Sequence, residues 1–279
     1  MSENNGLDDP GNPHMPARPL GAIHRPAPTH IPMLRAALPL GSIEVPSECR
    51  YDLRVSWLDE NDQIDALGND RIGCCVPAAT LRLVQLWRNL AGGDRRKPTA
   101  ERVRGLYTAW AGYNPNDPST DRGTETDVAF SRFCREGYLW SDQMEIVPRW
   151  TVLEADGMAP DLRHVKMGIY ALGGVLATIR MPQSALSETT LWLQPQPGTD
   201  EARDAGAHEI LLCGYDAQGT FYGVSWGYDI AIRPAFLTTR LLQASAFASD
   251  AWIDATTGRT PSGLDRDQIR AIGAQIQGV

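Results

Sequence analysis

A chain of 279 residues, 42% of them hydrophobic, is long enough to bury one full core and still carry appendages. A formal net charge of −8 and a pI near 5.1, without a Lys/Arg stripe, exclude the basic face that nucleic-acid binding needs. No run of about 18 apolar residues is present to span a membrane, and the start of the chain, with Asp8 and Asp9, does not read as a signal peptide.

In chain order, the first element is a Pro-rich stretch over residues 1–48, punctuated by Pro10, Pro13, Pro16, Pro19, Pro26, Pro28, Pro32, Pro39 and Pro46. It predicts an extended arm, mobile or laid along a partner, with no helix and no central strand. His14, His24 and His30 lie in it without any spacing that would assemble a metal site. A single globular domain is expected over residues 49–255. Leu53 to Trp57 alternates as a short strand does, and Val76 to Ala91 follows a helical period with Pro77 in its first turn and Gly92-Gly93 as its stop. Arg95-Arg96-Lys97 then reads as a solvated turn. Further helices are expected over about Ala100–Ala111 and Thr124–Glu136, separated by a polar loop ending in Asp121-Arg122-Gly123. His164–Leu172 predicts a helix, with His164 a structural residue on it, and Val175–Ile179 a strand. Glu209–Cys213 and Thr220–Trp226 form a hairpin. Helices first and an antiparallel sheet afterwards make an α+β protein. Residues 256–279 form a tail with one amphipathic segment, Leu264–Ile276.

The cysteines are Cys49, Cys74, Cys75, Cys134 and Cys213; an odd count with no paired spacing predicts neither a disulfide framework nor a zinc site, and no metal or cofactor is expected. Cys75 stands where the Val76–Ala91 helical pattern begins, and a helix N-terminus favours the thiolate through its free N–H groups and dipole. Gly73 and Cys74 flank it. Cys74 reads as a packed thiol, Cys134 and Cys213 as core, and Cys49 as exposed near the arm. His208 opens an apolar strand behind the small residues Ala205-Gly206-Ala207, where its ring can face a cleft and serve as a base.

At these residues the chain resembles the papain-type cysteine peptidases, in which a Cys opens a long helix and the His begins a strand roughly 130 residues later. Asn69 to Ala79 is similar to the Gln-Gly-x-Cys-Gly-x-Cys-x-Ala neighbourhood of the nucleophile, with Cys75 on the catalytic position. Gly206-Ala-His-Glu-Ile-Leu-Leu-Cys-Gly-Tyr-Asp216 resembles Gly-Gly-His-Ala-Val-x-x-Val-Gly-Tyr-Asp, and Val224-Ser-Trp-Gly227 resembles Asn-Ser-Trp-Gly. Asp121-Arg-Gly123 and Val165–Ile179 match in order between them. The resemblance implies a papain-like α+β fold, its helical half opening with the Cys-bearing helix and its second half an antiparallel sheet. It also implies a soluble protein made in the bacterial cytoplasm, and the wording of the motifs looks closest to a phage- and prophage-associated bacterial branch.

Carried over residue by residue, the resemblance makes Cys75 the nucleophile, His208 its base and Asn69 an oxyanion donor in place of a Gln, with Trp226 as an apolar cover. It places Val224 at the position of the Asn that orients the imidazole, and valine cannot accept the ring N–H. Ser225 is adjacent, but alternate strand residues face opposite ways, so it serves only if the strand slips or bulges. Glu209 and Asp229 are other orienters to weigh, each read as a solvated carboxylate. Two functions follow. One is a thiol hydrolase cleaving peptide or isopeptide bonds in a peptide or protein substrate. The other is a catalytically silent scaffold in a phage virion or bacterial assembly, tethered by its arm. A transglutaminase-type acyltransferase would need an acidic orienter. The substrate cleft is expected to involve Tyr113–Gly123 and Gln183–Arg203, the latter a mobile surface excursion.

Overall fold

Thirteen consecutive positions, Cys75 to Trp87, are buried in α1 (Cys75–Leu90), the axis of the first half of the molecule. The computed structural model describes residues 18–25, 44–140, 143–145, 149–155 and 160–277. The expected arm residues 1–17 and 26–43, with His14 and His30, lie outside them. Pro77 fits the first turn of α1 because its nitrogen needs no intrahelical partner there. Two helices pack beside it. In α2 (Ala100–Ala111) Thr99 caps the start by accepting from Arg102 N, and Gly112 closes the end at a φ of 71°. The third, α3 (Thr126–Glu136), buries Ala129, Phe130 and Phe133. The stretch from Leu53 to Trp57 is not a strand: Asp52–Arg54 forms a single 3-10 turn, closed by Trp57 Nε1 donating to Asp52 O (2.8 Å).

The strands are β1 (Ala22–Ile23), β2 (Cys49–Arg50), β3 (Thr124–Glu125), β4 (Tyr138–Trp140), β5 (Gln143–Glu145) and β6 (Arg149–Ala155), followed by β7 (Val175–Pro182), β8 (Leu191–Trp192), β9 (Asp204–Tyr215), β10 (Phe221–Ser225), β11 (Tyr228–Ile232) and β12 (Leu241–Ala248). The main sheet runs β6-β12-β7-β9-β10-β11-β8, with β1, β2 and β3 joined to it through β9, while β4 and β5 form a separate hairpin. Its pairings are antiparallel except β8 with β11 and β1 with β3. Three further helices complete the fold: α4 (Leu162–Leu172), α5 (Pro234–Arg240) and α6 (Arg266–Gln277). The last carbonyls of α4, which lack helical partners, accept from two buried indoles: Trp87 Nε1 reaches Leu172 O (2.8 Å) and Trp252 Nε1 reaches Ala171 O (3.0 Å). That tie locks α1 to the sheet half through a polar bond inside an apolar core.

Four expectations are corrected here. A central strand does occur in the Pro-rich stretch: β1 pairs with both β3 and β9. Short as it is, it avoids the flanking prolines. The Gln183–Arg203 segment is anchored rather than an open excursion, because β8 pairs with β11 and Trp192 is buried against Trp226 and Phe236. The tail is part of the core, since α6 packs on β6 and β12 and buries Ile269 and Ile272 with Leu264. Cys49 is also buried, in β2, and all five cysteines are free thiols.

Candidate active site

The loop before α1 is held from outside. Leu67 and Gly68 both take left-handed backbone (φ 59° and 80°), and Asn69 N then donates to Ala66 O (3.0 Å), which turns Asn69 inward and buries it. Asp121 Oδ1 accepts from Gly73 N (3.0 Å) and from the Tyr107 hydroxyl (2.7 Å), while the Tyr107 oxygen accepts from Gly123 N (2.8 Å). One carboxylate thus ties α2 and the Asp121–Gly123 turn to the residue two before Cys75. The motif Asp121-Arg-Gly123 is legible in the sequence, but this clamp is not. The Cys75 thiol is fully buried, and burial pushes it up to about 12; the N–H groups of Glu209, Gly21 and Val76 pull the other way, and the nearby Glu209 carboxyl adds to the rise. Cys74 is buried beside it, its Sγ 3.9 Å from Leu67 O.

His208 does not open the strand as expected but lies fifth in β9, opposite Ile179 of β7, where the buried run of that strand begins. Its ring is fully buried. Burial, with the Arg18 charge second, pushes it down to about 3, so the imidazole is neutral. Nε2 stands 2.6 Å from Ser225 Oγ, and Nδ1 is buried with no hydrogen-bond partner among the described residues. The thiol of Cys75 therefore makes no bond to Nδ1 in this state. Trp226 stacks on the imidazole at 3.9 Å between centroids and 20° between planes. It does so from the left-handed region (φ 50°), as does Gly227 (φ 83°), so the two form a tight turn between β10 and β11 whose pairing closes at Ser225 and Tyr228.

Ser225 beside the ring corrects the expectation that Val224 takes that place. The ladder between β9 and β10 slips by one residue after Tyr222, which reverses the faces beyond it. Val224 instead shares the side of Glu209. Glu209 is not solvated either. It is buried, accepts from Thr178 Oγ1 (2.7 Å) through Oε2, and burial raises it to about 8, so it is largely protonated at neutral pH. Asp229 is exposed and pairs with Val224, on the face of the sheet opposite His208. A small pocket joins Asn69, Ala79, Glu209, Val224, Ser225 and Trp226, in which Asn69 Oδ1, Glu209 Oε1 and Trp226 Nε1 have no partner among the described residues. No cluster of three or more His, Cys, Asp or Glu able to hold a metal occurs among the described residues.

Residues 18–25 close the site, a role that sequence patterning does not reveal. Gly21 sits on Gly73 so closely that a Cβ on it would stand 1.9 Å from Gly73 O, and a Cβ on Gly123 would stand 2.6 Å from Gly21 O. Three glycines let three backbones meet over the thiol. Gly21 O accepts from Thr124 N (2.7 Å), and Ala22 then pairs with Thr124 on one side and Ala207 on the other. At one end Arg18 is buried, its guanidinium 5.1 Å from the Trp226 ring and 4.8 Å from the Tyr228 ring, with Nη1 donating to Glu188 O (3.2 Å). At the other end Arg25 pairs with Glu125 (3.1 Å). The segment bridges the helical and sheet halves directly across Cys75 and His208.

No protein-family model matches the chain, and no curated protein does. Solved structures match it. Xylellain, a cysteine protease from Xylella fastidiosa, superposes with a TM-score of 0.60 at 12% identity, over 83% of this chain and 96% of that one. Procathepsin B S9 from Trypanosoma congolense gives 0.57 at 10% identity, over 84% and 87%. Digestive procathepsin L 3 of the Tenebrio molitor larval midgut gives 0.54 at 13% identity, over 83% and 76%. The chain has a papain-like cysteine protease fold. None of the three is described as a phage or virion protein, and the phage-associated branch has no support from them.

Proposed function

We propose that the chain is a latent papain-like thiol hydrolase of peptide or isopeptide bonds, held closed by residues 18–25. One observation supports the reading. The Cys75 thiol, at the start of α1, lies against the N–H of Glu209, the residue next to His208, so the helical and sheet halves bring these two residues to neighbouring buried positions. Two of the structural neighbours bear procathepsin names, which agrees with a closed form.

With the segment displaced, the Cys75 proton passes to His208 and the thiolate attacks the carbonyl carbon of a peptide or protein substrate. A sulfur–carbon bond forms while the carbonyl electron pair moves to oxygen, where Asn69 and the Cys75 N–H donate to it. Collapse of that oxyanion breaks the carbon–nitrogen bond as His208 returns its proton to the leaving amine. Water then hydrolyses the thioester, His208 taking one proton from it and passing that proton back to the thiolate. In the closed form neither partner is charged: a thiol raised to about 12 keeps its proton and an imidazole lowered to about 3 takes none up, so no ion pair forms.

That same neutrality favours a second reading, a catalytically silent structural or interaction protein in a bacterial or phage assembly. Gly21→Ala separates the two, because its Cβ cannot fit against Gly73 and must unseat the segment. The variant is expected to hydrolyse an unfolded protein and to be alkylated at Cys75 well below pH 8, with both properties lost in the Gly21→Ala/His208→Ala chain. Alkylation no faster than free cysteine, with no hydrolysis, would leave only the silent reading.

A further inference from the structure

We propose that Ser225 is the positioning residue of His208, brought to the ring by a one-residue offset in the sheet. The proposal deepens, and rests on, the reading of His208 as the base for Cys75.

The offset is visible in the ladder. β10 pairs Phe221 with Tyr215 and Tyr222 with Gly214, then passes over Cys213 to pair Gly223 with Leu212 and Val224 with Leu211. Directly opposed residues share a face, and faces alternate along each strand. Had the first register continued, Val224 would oppose Leu212 and share the face of His208. After the offset, Val224 takes the face of Leu211 and Glu209, and Ser225 takes the face of His208. Cys213 is the extra residue that reverses the two. The result is the 2.6 Å contact from His208 Nε2 to Ser225 Oγ, under the stacked Trp226 indole.

The direction of that hydrogen bond decides what the ring can do. With the proton on Nε2, the ring donates to Ser225 Oγ and Nδ1 keeps its lone pair to receive the thiol proton. The reverse tautomer would put an N–H on Nδ1, which is buried with no partner among the described residues. An orphaned buried N–H is rarer and costlier in proteins than a bare acceptor, so the first arrangement is favoured. When Nδ1 takes the proton from Cys75, both ring nitrogens carry hydrogens, and the Nε2–H stays on Ser225 Oγ. Ser225 neither gains nor loses a proton. It holds the ring plane and the tautomer, as an orienting residue does in related Cys/His and Ser/His sites.

The test uses the full chain labelled with 15N in its histidine rings, with the His208 signals identified by their loss in His208→Gln. Long-range 15N–1H spectra are expected to show the Nε2–H tautomer in the wild type. Ser225→Thr keeps the hydroxyl and should keep that tautomer; Ser225→Val has the same shape without it and, like Ser225→Ala, should shift the ring to a mixture or to Nδ1–H. The Thr/Val pair guards against a variant that merely repacks badly. In the Gly21→Ala background, Ser225→Val should alkylate at Cys75 about tenfold more slowly than Ser225→Thr, the loss of one hydrogen bond. An unchanged tautomer in both Ala and Val variants, or equal loss in Thr and Val, overturns the proposal. If the Gly21→Ala chain shows no Cys75 reactivity at all, the hydrolase reading fails on its own, and the tautomer spectra still decide the role of Ser225.

Discussion

Glu209 is a carboxyl kept neutral by its surroundings, and that has a measurable consequence for the pH dependence of the fold. Burial raises it from 4.5 to about 8 against the smaller opposing pull of the Thr178 hydroxyl. Below pH 4.5 folded and unfolded chains both carry the proton, so the full stability is present. Between 4.5 and 8 the unfolded chain releases it first, and stability falls with a slope of up to about 1.4 kcal/mol per pH unit. Glu209→Gln preserves an acceptor for Thr178 without a titrating proton. Urea unfolding at pH 5 and pH 8 should therefore show a loss of a few kcal/mol in the wild type relative to the variant, on the order expected for one fully buried acid. At this scale the positions of the proposed nucleophile and base were legible from local signatures, a helix start for Cys75 and the small residues Ala205-Gly206-Ala207 ahead of the buried run for His208. Glu209 was not, because a carboxylate next to a sheet-opening histidine reads as solvated until the packing of α1 against β9 is known.

Among the elements, the strap of residues 18–25 couples acidity to access. His208 has its proton affinity depressed from 6.5 to about 3 in the closed form by burial and by Arg18, the cation that faces it. Glu209 is protonated over this range and offers no compensating charge. The closed form is therefore fully favoured above pH 6.5 and loses that advantage as pH falls toward 3, by up to tenfold per unit, because the open form takes up the proton first. Reaction of Cys75 with a dipyridyl disulfide, which stays reactive in acid, should rise over that window relative to a free thiol, and should stay flat in His208→Gln. A decline with acid in the wild type would contradict the coupling. Pro19, flanking residues and scattered glycines hide this element from pattern reading: two residues carry no periodicity, and the seat is built from Gly73 and Gly123, far away in the chain.

Across the whole molecule, the two halves are joined by α1, by the Trp87 and Trp252 bonds to the end of α4, and by the strap itself. The C-terminal α6 belongs to this unit. Ile269→Ala is expected to cost about 2–4 kcal/mol in urea unfolding, as a large-to-small change in a core does. Leu53→Ala, at a position 71% exposed, should change stability by no more than about 0.5 kcal/mol. Equal effects would place α6 outside the cooperative core. Chain periodicity determined α1 to α4, the β9–β10 hairpin and the positions of Cys75 and His208, because helical period, capping residues and strand alternation act over a few neighbouring residues. Tertiary structure alone decided that Ser225 rather than Val224 meets the imidazole, that Asp121 clamps the loop before α1, and that Gly21 covers the Cys75 thiol. Those contacts depend on a sheet register and on backbone approaches between segments far apart in the chain, such as Gly73 and Asp121, 48 residues apart, which no local rule encodes.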